Sequence, residues 1–100
     1  MSDQTDLRAR LLLSVQRALL GEVTSNMRAV TCSAGRSKID LRWIIDGDVS
    51  DELKDALSAI GAEVIADFPS HRICGEVVRC DAPSDIKALY LDELVYLRKE

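Results

Sequence analysis

Lys38-Ile39-Asp40-Leu41-Arg42-Trp43-Ile44-Ile45, then Asp46-Gly47-Asp48-Val49-Ser50, then Asp51-Glu52-Leu53-Lys54-Asp55-Ala56-Leu57, is the stretch on which the fold turns. The first part alternates with the period of two that sends successive side chains to opposite faces of a sheet. Ile39, Leu41, Trp43 and Ile45 make one face; Lys38, Asp40, Arg42 and Ile44 make the other. The apolar set is the expected core face, which puts Trp43 inside. Asp46-Gly47-Asp48 is a turn, and Ser50 is placed to cap a helix over 51–67. There Leu53, Ala56, Leu57, Ile60 and Val64 recur at helical spacing, with Asp51, Glu52 and Asp55 near the positive end of the helix dipole. Gly61 interrupts that stripe at a cost of about 1 kcal/mol relative to alanine. A close approach of helix to sheet is the expected reason for it.

Working outward, Met27 to Ala34 reads as a strand, joined through Gly35-Arg36 to the one above, which spans 37–46. Before it, Leu7, Leu11, Val15 and Leu19 fall on one stripe of a helix over 6–20, with Thr5 as its expected cap, Asp3 and Asp6 near its dipole, and Gly21 as its stop. After the second helix, Phe68-Pro69 blocks further helical geometry. Arg72 to Cys80 and Glu93 to Lys99 read as a third and a fourth strand. The connection Asp81 to Asp92 has room for a short helical turn through Ile86 and Leu89, capped by Ser84. The order αββαββ predicts an α+β fold: a four-stranded, largely antiparallel sheet with two helices packed on one face. A helix between strands two and three requires those two to run parallel.

One hundred residues, 47% hydrophobic and 30% charged, suit a single domain over 1–100. With four aromatics (Trp43, Phe68, Tyr90, Tyr96), aliphatic side chains must supply most of the core. No apolar run approaches membrane-spanning length. The polar start, Met1 to Asp6, lacks the pattern of a secretory signal. An odd, scattered set of cysteines (Cys32, Cys74, Cys80) is a poor disulfide framework. A cytoplasmic protein is expected.

Catalytic chemistry is not visible. The lone histidine, His71, follows Phe68-Pro69-Ser70 with no nucleophile elbow and no orienting partner. Cys74 and Cys80 lie too far apart along one strand to share an ion, and no His/Cys cluster has metal-ligand spacing. The glycines form no phosphate cradle, and Asp46-Gly47-Asp48 lacks the remaining positions of a calcium loop. Neither an enzyme nor a cofactor is expected.

Charge is the more informative feature. Residues 1–50 carry seven basic and six acidic groups, residues 51–100 six and eleven, for a net charge of −4. Asp46, Asp48, Asp51, Glu52 and Asp55 cluster within ten residues, and Asp81, Asp85, Asp92 and Glu93 lie in or beside the long connection. The first group has a bland role in turning the chain and capping a helix, but capping engages one or two carboxylates and leaves the others to face a basic partner. The opposing possibility is a nucleic-acid or regulatory module on a basic outer sheet face, using Lys38 and Arg42 with Arg28, Arg36, Arg79 and Arg98. Such a face also needs exposed aromatics, and Trp43 is expected inward.

Four stretches together resemble one family. They are Arg17 to Thr24 with Asn26 to Val30, Asp46-Gly47-Asp48 with Ser50, Ala62 to Pro69, and Leu94 to Glu100. As a set they are similar to short bacterial proteins found among the immunity proteins of contact-dependent growth inhibition and related polymorphic-toxin systems. The resemblance spans most of the chain. It implies a protein that binds one cognate toxin, often a nuclease, and blocks or covers its active site. These stretches are helix ends, turns and strand edges, so the resemblance carries over no binding residue. The segment from Arg72 to Asp92 fits the family pattern least, which makes it a place for specificity. The expected function is therefore neutralisation of a basic toxin, a tRNase or other nuclease, by a monomer or weak dimer. The expected contacts are the nine carboxylates named above, with no role for membrane or nucleic acid.

Overall fold

The structure is a computed structural model that describes residues 3–100, with side chains from residue 6 onward. Its central hairpin is β1 (Met27–Ala34) and β2 (Lys38–Ile45), antiparallel and closed by the Gly35 N–H donating to the Lys38 carbonyl at 2.8 Å. β2 then turns through Gly47, whose φ of +87° is a conformation glycine adopts without steric cost. The chain enters α2 (Asp51–Ala66), where the Ser50 hydroxyl accepts the Leu53 N–H at 3.1 Å, as the sequence predicts. α2 crosses the sheet and returns as β3 (Arg72–Arg79), which pairs with β2 in parallel from Lys38–Arg72 to Ile45–Arg79 without a break. β4 (Glu93–Leu97) pairs antiparallel with β1 on the opposite side. The sheet order is β3-β2-β1-β4, mixed but mostly antiparallel. The αββαββ order of the sequence reading is the order found.

α1 (Asp3–Leu19) and α2 lie on one face. Leu11, Val15, Ala18 and Leu19 of α1 and Leu53, Leu57, Ile60 and Val64 of α2 pack on Val30, Cys32, Ile39, Leu41, Trp43 and Ile45 of the strands, all buried. Each fully buried large aliphatic side chain contributes about 1.5–3 kcal/mol of transfer free energy. α2 has no basic residue in its last turn, and α1 supplies the missing partners to its C-terminal end. There Arg10 donates to the Asp67 carbonyl (3.3 Å), while Ser14 (2.6 Å) and Arg17 (3.0 Å) donate to the Asp67 carboxylate. These bonds fix how α1 crosses α2.

Several local expectations change. α1 begins at Asp3, so Thr5 lies inside the helix instead of capping it; its side chain, like Met1 and Ser2, is outside the described residues. α1 ends one residue early, and Gly21 follows with φ +78°, the stop expected of it. The strands end short of the expected bounds at Ser37, Asp46, Cys80 and Lys99. Gly61 is not a point of close approach, because a Cβ built there meets nothing within 4 Å. The tight glycine is Gly75 on β3, whose Cβ would stand 3.0 Å from the Trp43 ring.

The connection from β3 to β4 crosses the sheet face opposite the helices. It contains a 3-10 turn at Lys87–Leu89, where Asp85, not Ser84, accepts the Lys87 N–H (2.9 Å). Ile86 is buried there against Ala29 and Ile44, with Cys80, Leu89 and Tyr90 packed around them. Ile44 therefore belongs to a second, smaller core on the face read from the sequence as outer and polar. The Thr31 hydroxyl receives the Leu91 N–H (3.3 Å) and Arg42 donates to the Leu89 carbonyl (2.8 Å), tying the crossing segment down.

Candidate functional site

β1 carries a bulge between Met27 and Ala29, so Arg28 is the extra residue on that strand. The bulge sends the Arg28 side chain, only 3% exposed, toward the ends of β3 and β4. Its guanidinium makes a two-bonded pair with Glu100 (2.8 and 2.7 Å) and donates to the Cys80 carbonyl (2.9 Å). Glu100 also accepts from Arg98, and Arg98 bonds the Asp46 carboxylate (3.0 Å) and the Ser25 carbonyl (2.7 Å). Beside them Arg79 grips Asp81 through two bonds (3.1 and 3.0 Å) and Asp48 through a third (2.8 Å). Asp81 further accepts the Gly47 N–H (2.7 Å). One end of the sheet is thus laced by three arginines and four carboxylates.

The electrostatics follow from those contacts. The Arg79 hydrogen bonds, with the Gly47 N–H, hold the Asp81 carboxyl down at about 2. Arg28, assisted by Arg98, holds Glu100 at about 2. At the other end of the sheet Arg8 pairs with Glu93, bonding its second carboxylate oxygen at 3.0 Å and lowering its pKa. Burial, reinforced by the charges of Glu93 and Asp92, pushes the Cys32 thiol up to about 12, which leaves it inert as a nucleophile.

The nine carboxylates singled out from the sequence therefore separate into classes. Asp46, Asp81 and Glu93 are engaged within the fold. Asp85 holds the start of the 3-10 turn. Asp51, Glu52, Asp55 and Asp92 are exposed, and among the described residues none of them has a cation within ion-pair distance. Asp48 touches Arg79, yet its side chain is 93% exposed. The two sequence clusters do not merge into one surface. Asp81 joins Asp46 and Asp48 at the β2–α2 turn, while Asp92 and Glu93 stand near Cys32, at the far end of β1. What remains outward at the turn is a ridge of Asp48, Asp51, Glu52 and Asp55, with Asp51 and Asp55 one helical turn apart.

Most of the basic residues expected on the outer face are paired within the fold; Arg36, exposed in the β1–β2 turn, has no ion-pair partner among the described residues. Arg42 bonds Glu76 (2.6 Å) and Lys38 pairs with Asp40 (3.3 Å); Arg28, Arg79 and Arg98 are committed as above. The arginine network escaped the sequence reading because Arg28 and Arg98 come together only when β4 lies beside β1. His71 stacks edge-on to Phe68 (centroids 5.7 Å apart), and neither ring nitrogen has a hydrogen-bond partner, so it is placed as a packing residue. Among the described residues no group of His, Cys, Asp and Glu could hold a metal ion, and no helix is long and apolar enough to cross a membrane.

A comparison with curated proteins found no match. A family model described as MafI2 immunity protein matches residues 8–100, from within α1 to the last residue of the arginine network. The chain belongs to the MafI2 immunity protein family, and toxin-neutralising immunity is the function this membership supports.

Proposed function

We propose that the chain is a cytoplasmic, non-enzymatic inhibitor that neutralises a basic nuclease toxin, such as a tRNase, by seating Asp48, Asp51, Glu52 and Asp55 on the toxin's nucleic-acid-binding surface. The observation that carries this reading is the division of the carboxylates. The fold ties some down with its own arginines and leaves Asp51, Glu52 and Asp55 without a cation at the start of α2, beside an Asp48 that touches Arg79 but stays almost fully exposed. A nuclease must present cations to phosphates, and a ridge of fixed carboxylates offers those cations an alternative partner. Three free cysteines support a reducing compartment.

The test is the triple variant Asp48→Lys, Asp51→Lys and Asp55→Lys, measured by titration calorimetry against the cognate toxin domain. Reversing three exposed charges should weaken binding at least about 100-fold at low salt, with a smaller loss as salt screens the contact. The variant should stay folded, because the three side chains are exposed and Arg79, which loses Asp48, keeps its pair with Asp81. Wild-type affinity in the triple variant would remove the ridge from the interface.

A further inference from the structure

Between α2 and β3 the helical layer leaves a groove of about 430 Å³, lined by Trp43, Leu57, Ile73 and Val77, with Lys54 and Ser58 on the helix side. Gly61 of α2 and Gly75 of β3 also line it, and the space around the absent Gly61 Cβ is empty. Lys54, Ser58, Gly61 and Ile65 succeed one another at helical spacing, so the exposed Ile65 extends the same strip of α2. Trp43 is 3% exposed, and its indole N–H has no acceptor. The part of the ring that borders Gly75 is its Cζ3–Cη2 edge, across the indole from the N–H.

β3 is an edge strand. The Arg72 N–H donates to the Ser37 carbonyl and the Cys80 N–H to the Ile45 carbonyl, with unbroken parallel register between them. Even-numbered residues therefore turn their backbone groups to β2, and Ile73, Gly75 and Val77 turn theirs to the open edge. These three also share the pleat of their partners Ile39, Leu41 and Trp43, the face that meets α2. The residues that frame the groove are the ones whose main-chain groups lie free.

We infer that β3 is the docking edge for an extended segment of the cognate toxin, which adds as a fifth strand and sets an apolar side chain into the groove beside Trp43. This rests on the immunity reading. Charge selects the occupant. Lys54, on the groove, shares a helical turn with Asp51 and Asp55, so the groove runs directly into the acidic ridge that faces a basic partner.

The test combines amide hydrogen exchange of the full chain, alone and with a non-toxic form of the cognate toxin domain, with calorimetry of Gly61→Leu. Exchange at Ile73, Gly75 and Val77 should slow at least about 100-fold in the complex, as expected for amides recruited into a ladder. Gly61→Leu fills the groove from a helical site with free space, so it should keep or raise the Tm while weakening toxin binding at least about tenfold. A complex that forms with these amides unprotected overturns the edge proposal alone. Protection that rises with the chain's own concentration, without toxin, replaces the toxin strand by a second copy and overturns it too. Absence of any complex overturns the immunity pairing and this proposal with it.

Discussion

Replacing Gly61 with alanine should stabilise the protein, and the size of the effect follows from two features of the site. The residue lies inside α2, where glycine costs about 1 kcal/mol relative to alanine through backbone entropy. Nothing stands within 4 Å of the position the new methyl would take, so no packing loss opposes the gain. For a chain of this length, with an unfolding entropy of about 2.1 cal/mol/K per residue, 1 kcal/mol corresponds to a Tm rise of roughly 5 °C. Gly75→Ala is the counter-experiment. Its Cβ would fall 3.0 Å from Trp43 Cζ3 and 3.5 Å from Cη2, against a ring that is almost wholly buried. Forcing that ring aside should cost about 1–3 kcal/mol, the usual range for overpacking. Thermal unfolding followed by circular dichroism reads both variants. A lower Tm for Gly61→Ala would show that α2 sits closer to the sheet than described, and a higher Tm for Gly75→Ala would remove the Trp43 contact from the packing.

Ser50→Ala removes the hydroxyl that accepts the Leu53 N–H and should cost about 1 kcal/mol, read as a lower urea midpoint with unchanged m value. Asp81 and Glu100 are held near 2, below their ordinary values of 3.8 and 4.5, so the unfolded chain binds more protons on acidification. Their contribution is complete above the ordinary carboxylate range and drains away as pH falls from about 5 toward 2, and Arg28→Met should flatten the Glu100 part of that profile. A thiol reagent at neutral pH should modify exposed Cys74 quickly and leave Cys32 untouched until denaturant is added; rapid loss of all three thiols would contradict the burial of Cys32.

The parts of this fold that were legible in the sequence are those decided within a few residues. Alternation in Lys38–Ile45, the Ser50 cap and the Leu53–Val64 stripe each reflect a local periodicity or a single hydrogen bond, and the parallel pairing of β2 with β3 follows from the helix between them. What was not legible depends on which strands become neighbours. Arg28 and Arg98 read as part of a possible basic face because nothing local announces that β4 will lie beside β1 and bring Glu100 and Asp46 to them. The same holds for Ile44, an apolar residue on the outer pleat whose partner, Ile86, arrives from a connection with no strong period of its own. Gly61 lacks the close approach expected of it, and Gly75 has one that no local signal announced, because a glycine's packing is set by the element opposite it. The acidic clusters were visible as composition, but only the ion pairs divide them into carboxylates the fold consumes and carboxylates it leaves outward.

The most direct measurement titrates the cognate toxin domain with this protein while following the nuclease activity proposed for it, using folded RNA as substrate. Neutralisation through the acidic ridge predicts that cleavage falls in proportion to added protein and ceases at equimolar ratio, and that the Asp48, Asp51 and Asp55 reversal fails to inhibit. Undiminished cleavage in the presence of excess wild-type protein would contradict the proposed function.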